Sequence, residues 1–240
     1  MDYKNFLRET LNFLHLDITK NLEYDRLTKA IMKQSISSDS NCIDIGCHKG
    51  EILDIMLKLS PKGKHTGFEP IPYLFNDLKK RYHGKATILP YALSAEDGTS
   101  KFQLVKNAPA YSGIKQRKYD IENPEIEEID VELKKLDEVI PTELKIDFVK
   151  IDVEGAELGV LKGGKDLLIK NKPLIVFEFG LGASEYYGTT PQDIFNFICN
   201  EVGFKIYTLK SFLKKGEPLS MEVFDQTFHS NKEYYFVAYH

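Results

Sequence analysis

The sequence predicts a doubly wound α/β fold with a mostly parallel seven-stranded sheet, and three observations predict it. Short apolar runs that end in an acid or a glycine alternate with amphipathic helical segments, the pattern of strand-helix-strand units. A glycine turn, Asp44-x-Gly46-x-x-x-Gly50, joins the first run to its helix. Two last strands, near 204–209 and 234–239, lack a good crossover helix between them, so we expect an antiparallel strand at one edge.

Length and composition are those of one globular domain. The chain has 240 residues, of which 42% are hydrophobic and 28% charged, so it can bury a sizeable core but is short for two α/β domains. We expect a single domain over residues 1–240, with a helical N-terminal extension at 1–40 and the core at 41–240. A net charge of −4 offers no basic surface, so nucleic acid is not an expected partner.

Several features favour a cytoplasmic protein with no membrane span. No apolar run approaches the ~20 residues that cross a bilayer, and charged residues interrupt the N-terminal segment, so it lacks the apolar core of a secretion signal. Cys42, Cys47 and Cys199 suggest no disulfide framework, which suits a reducing compartment. No second Cys/His pair follows the first two cysteines at ligand spacing, so we read them as packing residues and not as half of a zinc site.

Two helices are predicted before the first strand. Apolar residues recur at helical spacing over residues 3–16 and 22–35, and a serine-rich stretch at 37–40 ends the second segment. We expect both helices to pack on the sheet or to shape the mouth of its ligand cleft.

The glycine turn follows a strand at 41–45 and leads into an amphipathic helix. A dinucleotide pyrophosphate requires G-x-G-x-x-G, because the middle glycine lets the backbone approach the phosphates. Here His48 stands where that glycine would be. The turn therefore suits a ligand without a pyrophosphate, of which S-adenosylmethionine is the common one. The alternative is an ordinary strand-to-helix turn.

The next two strands, at 64–69 and 86–89, are placed to complete an adenosine site. Glu69 ends the second strand, where a carboxylate can accept both ribose hydroxyls, although alone it could equally be a surface acid. A helix with proline in its first turn lies between the two strands. Ala92 and Leu93 follow the third strand, where an adenine ring would be sandwiched.

The middle of the chain combines short elements with one long polar loop. Strands are predicted at 101–105 and 129–133, and a short helix at 136–140. Residues 107–128 are polar, contain two prolines and show little periodicity. A loop of this length inside a compact domain is usually a lid or a binding element, and we expect a lid.

The second half of the chain again alternates strands and helices. Its predicted elements are strands at 146–151 and 173–178 and helices at 156–170 and 191–201. Gly163-Gly164 interrupts the first of these helices. The segment 210–233, between the last two strands, is expected to be a long polar loop.

Four acids, each at the end of a predicted strand, point to one site: Asp44, Glu69, Asp152 and Glu178. In an open parallel sheet the ligand binds at the carboxyl ends of the strands, where the strand order reverses. Any one of these acids alone could serve a helix N-terminus, but four at one edge exceed what capping requires. We infer a ligand cleft at this edge.

Transfer of a methyl group to a hydroxyl requires a group that takes the proton. By position the candidates are Asp152, Glu154 and Glu178. A divalent metal bound by such acids would serve by lowering the pKa of the hydroxyl, and the sequence leaves both routes open. His48, beside the turn, and His229, expected in the polar loop above the cleft, could each act as a base, although a histidine in a turn more often forms hydrogen bonds.

The order of the elements disfavours several classes of enzyme. The terminal strand pair is typical of class I methyltransferases, which have a Rossmann-like fold, and not of dinucleotide dehydrogenases. Enzymes that methylate amino groups of nucleobases usually carry Asx-Pro-Pro-aromatic after the fourth strand, where this chain has Asp152-Val153-Glu154-Gly155. Carbon methylation of cytosine requires a nucleophilic cysteine in the cleft, and none of the three is placed for it.

Five blocks resemble, in order, the FkbM-type methyltransferases over roughly residues 40–180. They are Asp44-Ile45-Gly46…Gly50, Phe68-Glu69-Pro70, Leu136-Asp137-Glu138, Lys150-Ile151-Asp152-Val153-Glu154-Gly155-Ala156-Glu157 with Val160-Leu161-Lys162-Gly163, and Lys172-Pro173…Phe177-Glu178. The fourth block is the most specific. The chain departs from the family at Cys47-His48-Lys49, where the family usually has a small residue and Asn.

The resemblance implies an S-adenosylmethionine-dependent O-methyltransferase. Members of the family act on hydroxyls of sugars and of polyketide-type natural products, commonly in polysaccharide or secondary-metabolite pathways. By the same resemblance Asp44, Gly46, Gly50 and Glu69 bind the cofactor, and Tyr111-Ser112-Gly113 lies in the substrate-facing insertion.

Two other functions remain open from the residues alone. The first is a nucleotide-binding or regulatory subunit without catalysis, against which the acids of the later strands argue. The second is an NAD-dependent oxidoreductase, which His48 and the terminal strand pair disfavour. The acceptor, the metal requirement and the oligomeric state do not follow from the sequence.

Overall fold

A computed structural model describes residues 20–119 and 121–240, so the helix predicted at 3–16 lies outside the described residues. The strands are β1 Cys42–Ile45, β2 His65–Phe68, β3 Thr87–Leu89, β4 Tyr91–Leu93, β5 Gly98–Val105, β6 Ile126–Lys134, β7 Phe148–Ile151, β8 Leu174–Glu178, β9 Lys205–Thr208 and β10 Tyr235–Tyr239. The α-helices are α1 Lys20–Ser35, α2 Glu51–Leu59, α3 Pro72–Arg81, α4 Leu136–Val139, α5 Glu157–Gly163, α6 Lys165–Asn171, α7 Pro191–Phe195, α8 Leu209–Leu213 and α9 Met221–His229.

Seven of the strands form the main sheet, in the order β3-β2-β1-β7-β8-β10-β9. The five from β3 to β8 run parallel, and β10 is antiparallel to both β8 and β9. The predicted doubly wound sheet with an antiparallel C-terminal strand is confirmed. The chain leaves β1 towards β2 and β3 on one side and returns to β7 on the other. The switch point, where such sheets bind ligands, therefore lies between β1 and β7.

Helices cover both faces of this sheet, as a doubly wound fold requires. One face packs against α1, α2, α3 and α8, with Met32, Met56, Leu78 and Leu209 buried beside Phe148 of β7. The other packs against α5, α6, α7 and α9, with Leu161, Leu168, Ile194 and Phe224 buried beside Phe177 of β8. No helix within residues 20–119 and 121–240 has the length and apolar character needed to cross a bilayer.

A second, three-stranded sheet has the order β4-β6-β5. It contains the strands predicted at 101–105 and 129–133, which are longer than expected and pair antiparallel with each other. Pro90 separates β3 from β4, and because proline has no N–H to donate it ends the first ladder and lets β4 pair with β6 instead. One side of the small sheet packs on α3 through Phe102, Leu104 and Val131.

Both segments that the sequence predicts to be long polar loops contain regular structure. The first is shorter than 107–128, because β6 begins at Ile126, and it includes a 3₁₀ turn at Pro109–Tyr111. For the second, 210–233, the prediction is wrong, since it contains most of α8 and all of α9. The apolar face of α9 consists mainly of two phenylalanines four residues apart, Phe224 and Phe228, which is too narrow a stripe to be obvious among polar neighbours.

Two predicted helices are interrupted. The helix predicted at 156–170 is broken at Gly164 into α5 and α6, as the glycine pair suggests. The helix predicted at 191–201 begins as α7 and continues as π-helix over Asn196–Glu201. Thr190 caps it, because its side chain accepts from Asp193 N while the Asp193 side chain accepts from Thr190 N.

The single-domain assignment over 1–240 stays a prediction.

The packing of α9 leads to a stability prediction. Phe224 is fully buried, with its ring near those of Phe179 and Phe236. We expect Phe224→Ala to lower the free energy of unfolding by about 3–5 kcal/mol. Val223→Ala, at the exposed neighbouring position, should change it by less than about 0.5 kcal/mol. Guanidinium unfolding followed by circular dichroism measures both, and equal effects would contradict the packing of α9 on the sheet.

Candidate active site

The glycine turn sits at the switch point of the main sheet. Gly46 has φ +80°, and a Cβ added there would lie 1.9 Å from the backbone oxygen of Asp152. The backbone N–H groups of Gly46 and Cys47 both donate to Phe68 O, at 3.0 Å. Glycine is therefore required where the ends of β1 and β7 meet.

Gly50, the second glycine of the turn, lies against Tyr82. It has φ +78°, and an added Cβ would lie 2.4 Å from the hydroxyl oxygen of Tyr82. That hydroxyl donates to Gly50 O at 2.8 Å. Gly50 thus shapes the start of α2 against Tyr82 and does not line the cavity described below.

A cavity of about 1240 Å³ opens at the carboxyl ends of β1, β2, β7 and β8. It exceeds the roughly 300–1,000 Å³ of typical ligand sites, so it can hold a cofactor together with an acceptor. It is bordered by eleven of the residues singled out from the sequence: Asp44, Gly46, His48, Glu69, Ala92, Leu93, Tyr111, Ser112, Asp152, Glu154 and Glu178. The structure therefore brings together residues that lie in six separate parts of the chain.

His229 is not at this cavity, and its expected position in a loop above the cleft is wrong. It ends α9, where its side chain is 62% exposed and Nε2 lies 3.4 Å from Asp225 Oδ1. It borders a separate, smaller cavity with Phe228 and Thr190. Phe224 and Phe228 pack one face of α9 against the sheet. His229 lies on a different face of the same helix.

Asp44 and Glu69 are buried acids on the β1–β2 side of the cavity. Asp44 is only 2% exposed; Leu53 N donates to its carboxylate, while Oδ2 has no hydrogen-bond partner within the described residues. Glu69 Oε2 accepts from His48 N at 2.8 Å, and Oε1 accepts from Ile71 N at 2.9 Å. Burial raises the pKa of each carboxyl to about 7. Each Glu69 oxygen retains a lone pair for a ligand.

His48 lies in the turn with φ +46°, a conformation that is uncommon outside glycine. Its Nε2 is buried and has no partner among residues 20–119 and 121–240. Burial, helped by the neighbouring Lys49, lowers the pKa of the imidazole. A neutral imidazole that borders the cavity is available as a hydrogen-bonding group.

A second group of ionisable side chains surrounds Asp152. Asp152 Oδ2 lies 3.0 Å from Lys150 Nζ and accepts from the Tyr235 hydroxyl at 2.5 Å. Burial opposes ionisation of Asp152, but the Lys150 ammonium and hydrogen bonds with Glu178, Tyr235 and Lys150 outweigh it and lower the pKa. Burial and the Asp152 charge raise the pKa of Glu178 well above its ordinary value. Of these two carboxyls, Asp152 is therefore the one that ionises more readily.

Glu154 forms an ion pair with Arg117 of the lid segment, residues 107–119. The Arg117 guanidinium also donates from Nε to Gly182 O at 3.2 Å and lies over the ring of Tyr111. Lys115 N donates to the Tyr187 hydroxyl at 3.0 Å. The lid segment is thus fastened both to the turn after β7 and to the loop after β8.

Tyr111 and Ser112, the predicted substrate residues, lie in this lid segment. Tyr111 borders the cavity, and its ring makes an edge contact with Tyr119. The Ser112 hydroxyl oxygen accepts from Val105 N at 3.0 Å, which ties the lid segment to the end of β5. Tyr111 is therefore better placed than Ser112 to meet an acceptor.

The acids of the site also have the spacing of a cation site. Carboxylate oxygens of Asp152, Glu154 and Glu178 lie within 4.8 Å of one another. Lys150 pairs with Asp152 and Arg117 pairs with Glu154. A cation bound by these carboxyls would have to share or displace both ion pairs.

Three residues of the site were not singled out from the sequence: Lys150, Tyr235 and Arg117. Lys150 carries a usable signal, since a lysine within the apolar run Phe-Val-Lys-Ile of a buried strand requires an acidic partner. No sequence pattern points to Tyr235 or Arg117, because the residues that they contact are distant in the chain.

A model of the methyltransferase FkbM domain matches residues 44–206. The chain belongs to the FkbM methyltransferase family. This confirms the resemblance seen in the five sequence blocks. None of the curated proteins compared with the chain matches it.

One solved structure with a TM-score above 0.5 shows a similar fold. Methyltransferase FkbM from Methylobacillus flagellatus KT has a TM-score of 0.52 and 15% sequence identity; the match covers 85% of this chain and 44% of that one. The chain therefore spans less than half the length of that protein, and at this identity the likeness concerns the fold alone. A putative rRNA-methylase from Clostridium thermocellum matches with a TM-score of 0.47 and 9% identity, over 88% of this chain and 90% of that one.

The family implies S-adenosylmethionine as the cofactor, and the residues present fit it. The buried Asp44 Oδ2 and His48 Nε2 have no partners among the described residues, so both are open to a ligand. Buried carboxylates suit a ligand that has a sulfonium, an ammonium and ribose hydroxyls. The tight contact at Gly46 leaves no side chain in the way.

The raised pKa values of Asp44 and Glu69 lead to a prediction about pH. Below about pH 7 both carboxyls are protonated, and only the ionised forms accept fully from ribose hydroxyls or an ammonium. Affinity for S-adenosylhomocysteine should therefore rise roughly tenfold or more between about pH 6 and 8, with release of protons on binding near neutral pH.

Calorimetry in buffers of different ionisation enthalpy measures both quantities. Glu69→Gln removes one of the two titrating groups and should flatten the pH dependence. An affinity that is constant or falls over this range would contradict the assignment.

Proposed function

We propose that this protein is an S-adenosylmethionine-dependent O-methyltransferase that acts on a hydroxyl of a sugar or a sugar-containing metabolite, in a polysaccharide or natural-product pathway. The observation that carries the proposal is Asp152, which pairs with Lys150 Nζ at 3.0 Å and borders the same cavity as the buried acids Asp44 and Glu69. Family membership supports the reaction, and the size of the cavity supports the presence of two ligands.

The β1–β2 side of the cavity is the proposed cofactor half. When bound, S-adenosylmethionine supplies an activated methyl group. Asp44 and Glu69 accept hydrogen bonds from its ammonium and ribose groups, while Ala92 and Leu93 of β4 provide an apolar wall for its adenine. His48 contributes a neutral imidazole to the same half.

Asp152 is the proposed residue that orients the acceptor hydroxyl and takes its proton. Its side chain is 29% exposed and faces the cavity, whereas Glu178, whose pKa is raised, acts through its hydrogen bond with Asp152. A hydroxyl oxygen that gains a methyl group becomes strongly acidic, so even a carboxylate of low pKa can accept the proton as the O–H bond breaks. We assign Glu154 to the lid because Arg117 pairs with it.

The lid segment and nearby tyrosines form the proposed acceptor half. Tyr111 and Tyr234 both border the cavity, and aromatic faces of this kind pack on the C–H face of a sugar ring while acids accept its hydroxyls. The fastening of Arg117 to Glu154 and Gly182 closes this side, so it limits the access of water, which competes with the acceptor.

The remaining assignments follow from the same site. The acceptor is a small molecule or a glycan, and the net charge of −4 offers no surface for nucleic acid. Cys42, Cys47 and Cys199 are free thiols, which suits the cytoplasm. A binding protein without catalysis would not need an ionised Asp152 at the cavity, and turnover by the purified chain would eliminate that alternative.

A methyl-transfer screen against nucleotide-sugars and glycans, with and without a chelator, tests the reaction. With an acceptor in hand, Asp152→Asn should lower kcat by roughly 10²–10⁴-fold, because the hydroxyl loses its proton acceptor. The matched control is Asp130→Asn, at an exposed position of β6 outside the cavity, which should leave kcat unchanged. Equal rates for the two variants would overturn the role of Asp152.

Calorimetry tests the cofactor separately. We expect the chain to bind S-adenosylmethionine and S-adenosylhomocysteine and not NAD, and Glu69→Ala to weaken binding because hydrogen bonds to the ribose are lost. Binding of NAD alone would refute the proposed function.

A further inference from the structure

Lys150 is the only buried lysine or arginine within residues 20–119 and 121–240, with 4% of its surface exposed. In the parallel register of β1 and β7, Asp44 and Lys150 are direct neighbours. Asp152 follows two residues after Lys150, so its side chain leaves the sheet on the same face. The ammonium therefore lies between the acid of the proposed cofactor half and the acid of the proposed acceptor half.

The ammonium of Lys150 has three contacts, of which one is a hydrogen bond that it donates to Ile151 O at 3.4 Å. Its Nζ lies 3.0 Å from Asp152 Oδ2 and 4.6 Å from the centre of the Tyr235 ring. The Tyr235 hydroxyl donates to the same Asp152 oxygen. Tyr24 of α1 packs on the Tyr235 ring with their centres 4.9 Å apart. Three elements that are distant in the chain thus form a clamp around one charge.

Other ionisable groups face this pair of acids, and most of them are acidic. They are Glu69 at the end of β2, His48 in the glycine turn, Glu154 and Glu157 after β7, Glu178 of β8, and Asp25 of α1, which acts on Tyr235. Arg117 compensates Glu154, and the imidazole of His48 is neutral. Lys150 is thus the cation that lies directly against Asp152.

We propose that Lys150, clamped by Tyr235, is a positioning residue that keeps Asp44 and Asp152 available in the ionised form needed at neutral pH. In a buried site an opposite charge a few ångströms away favours ionisation strongly, whereas burial alone opposes it. The inference rests on the proposed function, because ionised Asp44 serves the cofactor and ionised Asp152 the acceptor. Lys150 itself acts only through these acids.

The decisive experiment needs no ligand. Carboxyl ¹³C shifts of the free protein are followed through pH in the wild type, Lys150→Met and Lys150→Arg, with Asp44→Asn and Asp152→Asn used to assign the signals. Lys150→Met should raise both titration midpoints by roughly one pH unit or more, because it keeps the volume and removes the charge. Lys150→Arg keeps the charge and should restore them, and the control Lys145→Met, at an exposed lysine, should leave them unchanged.

Tyr235→Phe provides a second variant, should Lys150→Met fail to fold. It keeps the ring over the ammonium and removes only the hydroxyl that donates to Asp152, so the midpoint of Asp152 should rise while that of Asp44 stays. Unchanged midpoints in Lys150→Met, or in Tyr235→Phe if that variant alone folds, would overturn the proposal.

Binding of S-adenosylhomocysteine separates this proposal from the proposed function. Lys150→Met should weaken binding roughly tenfold or more at pH 7 and much less at pH 9, where the acids ionise without help. An equal loss at every pH would show that Lys150 only supports the structure. If the wild type binds no S-adenosylhomocysteine, the proposed function fails, while the carboxyl titrations still decide the role of Lys150.

Discussion

The site depends on the contact between the ends of β1 and β7. Gly46 lies so close to the Asp152 backbone oxygen that a single methyl group would not fit between them. Because no side chain separates the two strand ends, the acids carried by β1 and β7 face the same cavity. The glycine matters here for its lack of a Cβ as much as for its positive φ. The remaining features of the site are arranged around this backbone contact.

Acidic residues have opposite pKa shifts on the two sides of the contact between β1 and β7. Asp44 and Glu69 are buried, and burial raises the pKa of both carboxyls even though the neighbouring Lys150 opposes the rise at Asp44. Asp152 is held by Lys150 and Tyr235, and its pKa is lowered. Burial and the charge of Asp152 raise the pKa of the neighbouring Glu178. Local donors and cations, and not the identity of the residue, therefore decide which carboxyl is charged.

Parts of the chain outside the main sheet complete the site. Helix α1 places Tyr24 against Tyr235, and so supports the hydroxyl that contacts Asp152. The lid segment places Arg117 on Glu154 from the other side. A substitution in α1 or in the lid segment is therefore expected to alter the surroundings of Asp152, although the substituted residue does not contact it.

The sequence by itself determined the doubly wound sheet, its antiparallel last strand, the family and the set of acids at the strand ends. These follow from apolar periodicity, glycine spacing and the order of motifs, all of which are local. Prediction from the sequence failed where an element is stabilised by residues that are distant in the chain. Helix α9 is stabilised by Phe179, which follows β8, and by Phe236 of β10. Because these contacts are not visible in the sequence, 210–233 looked like a loop and His229 like a residue of the cleft.

Only the tertiary structure decided which acids are ionised and what holds them. Tyr235 and Asp152 are 83 residues apart, and Lys150 meets Asp44 through the register of two strands that no local pattern specifies. The sequence supplied the acids as a set, but their charges depend on neighbours that only the folded sheet brings within a few ångströms.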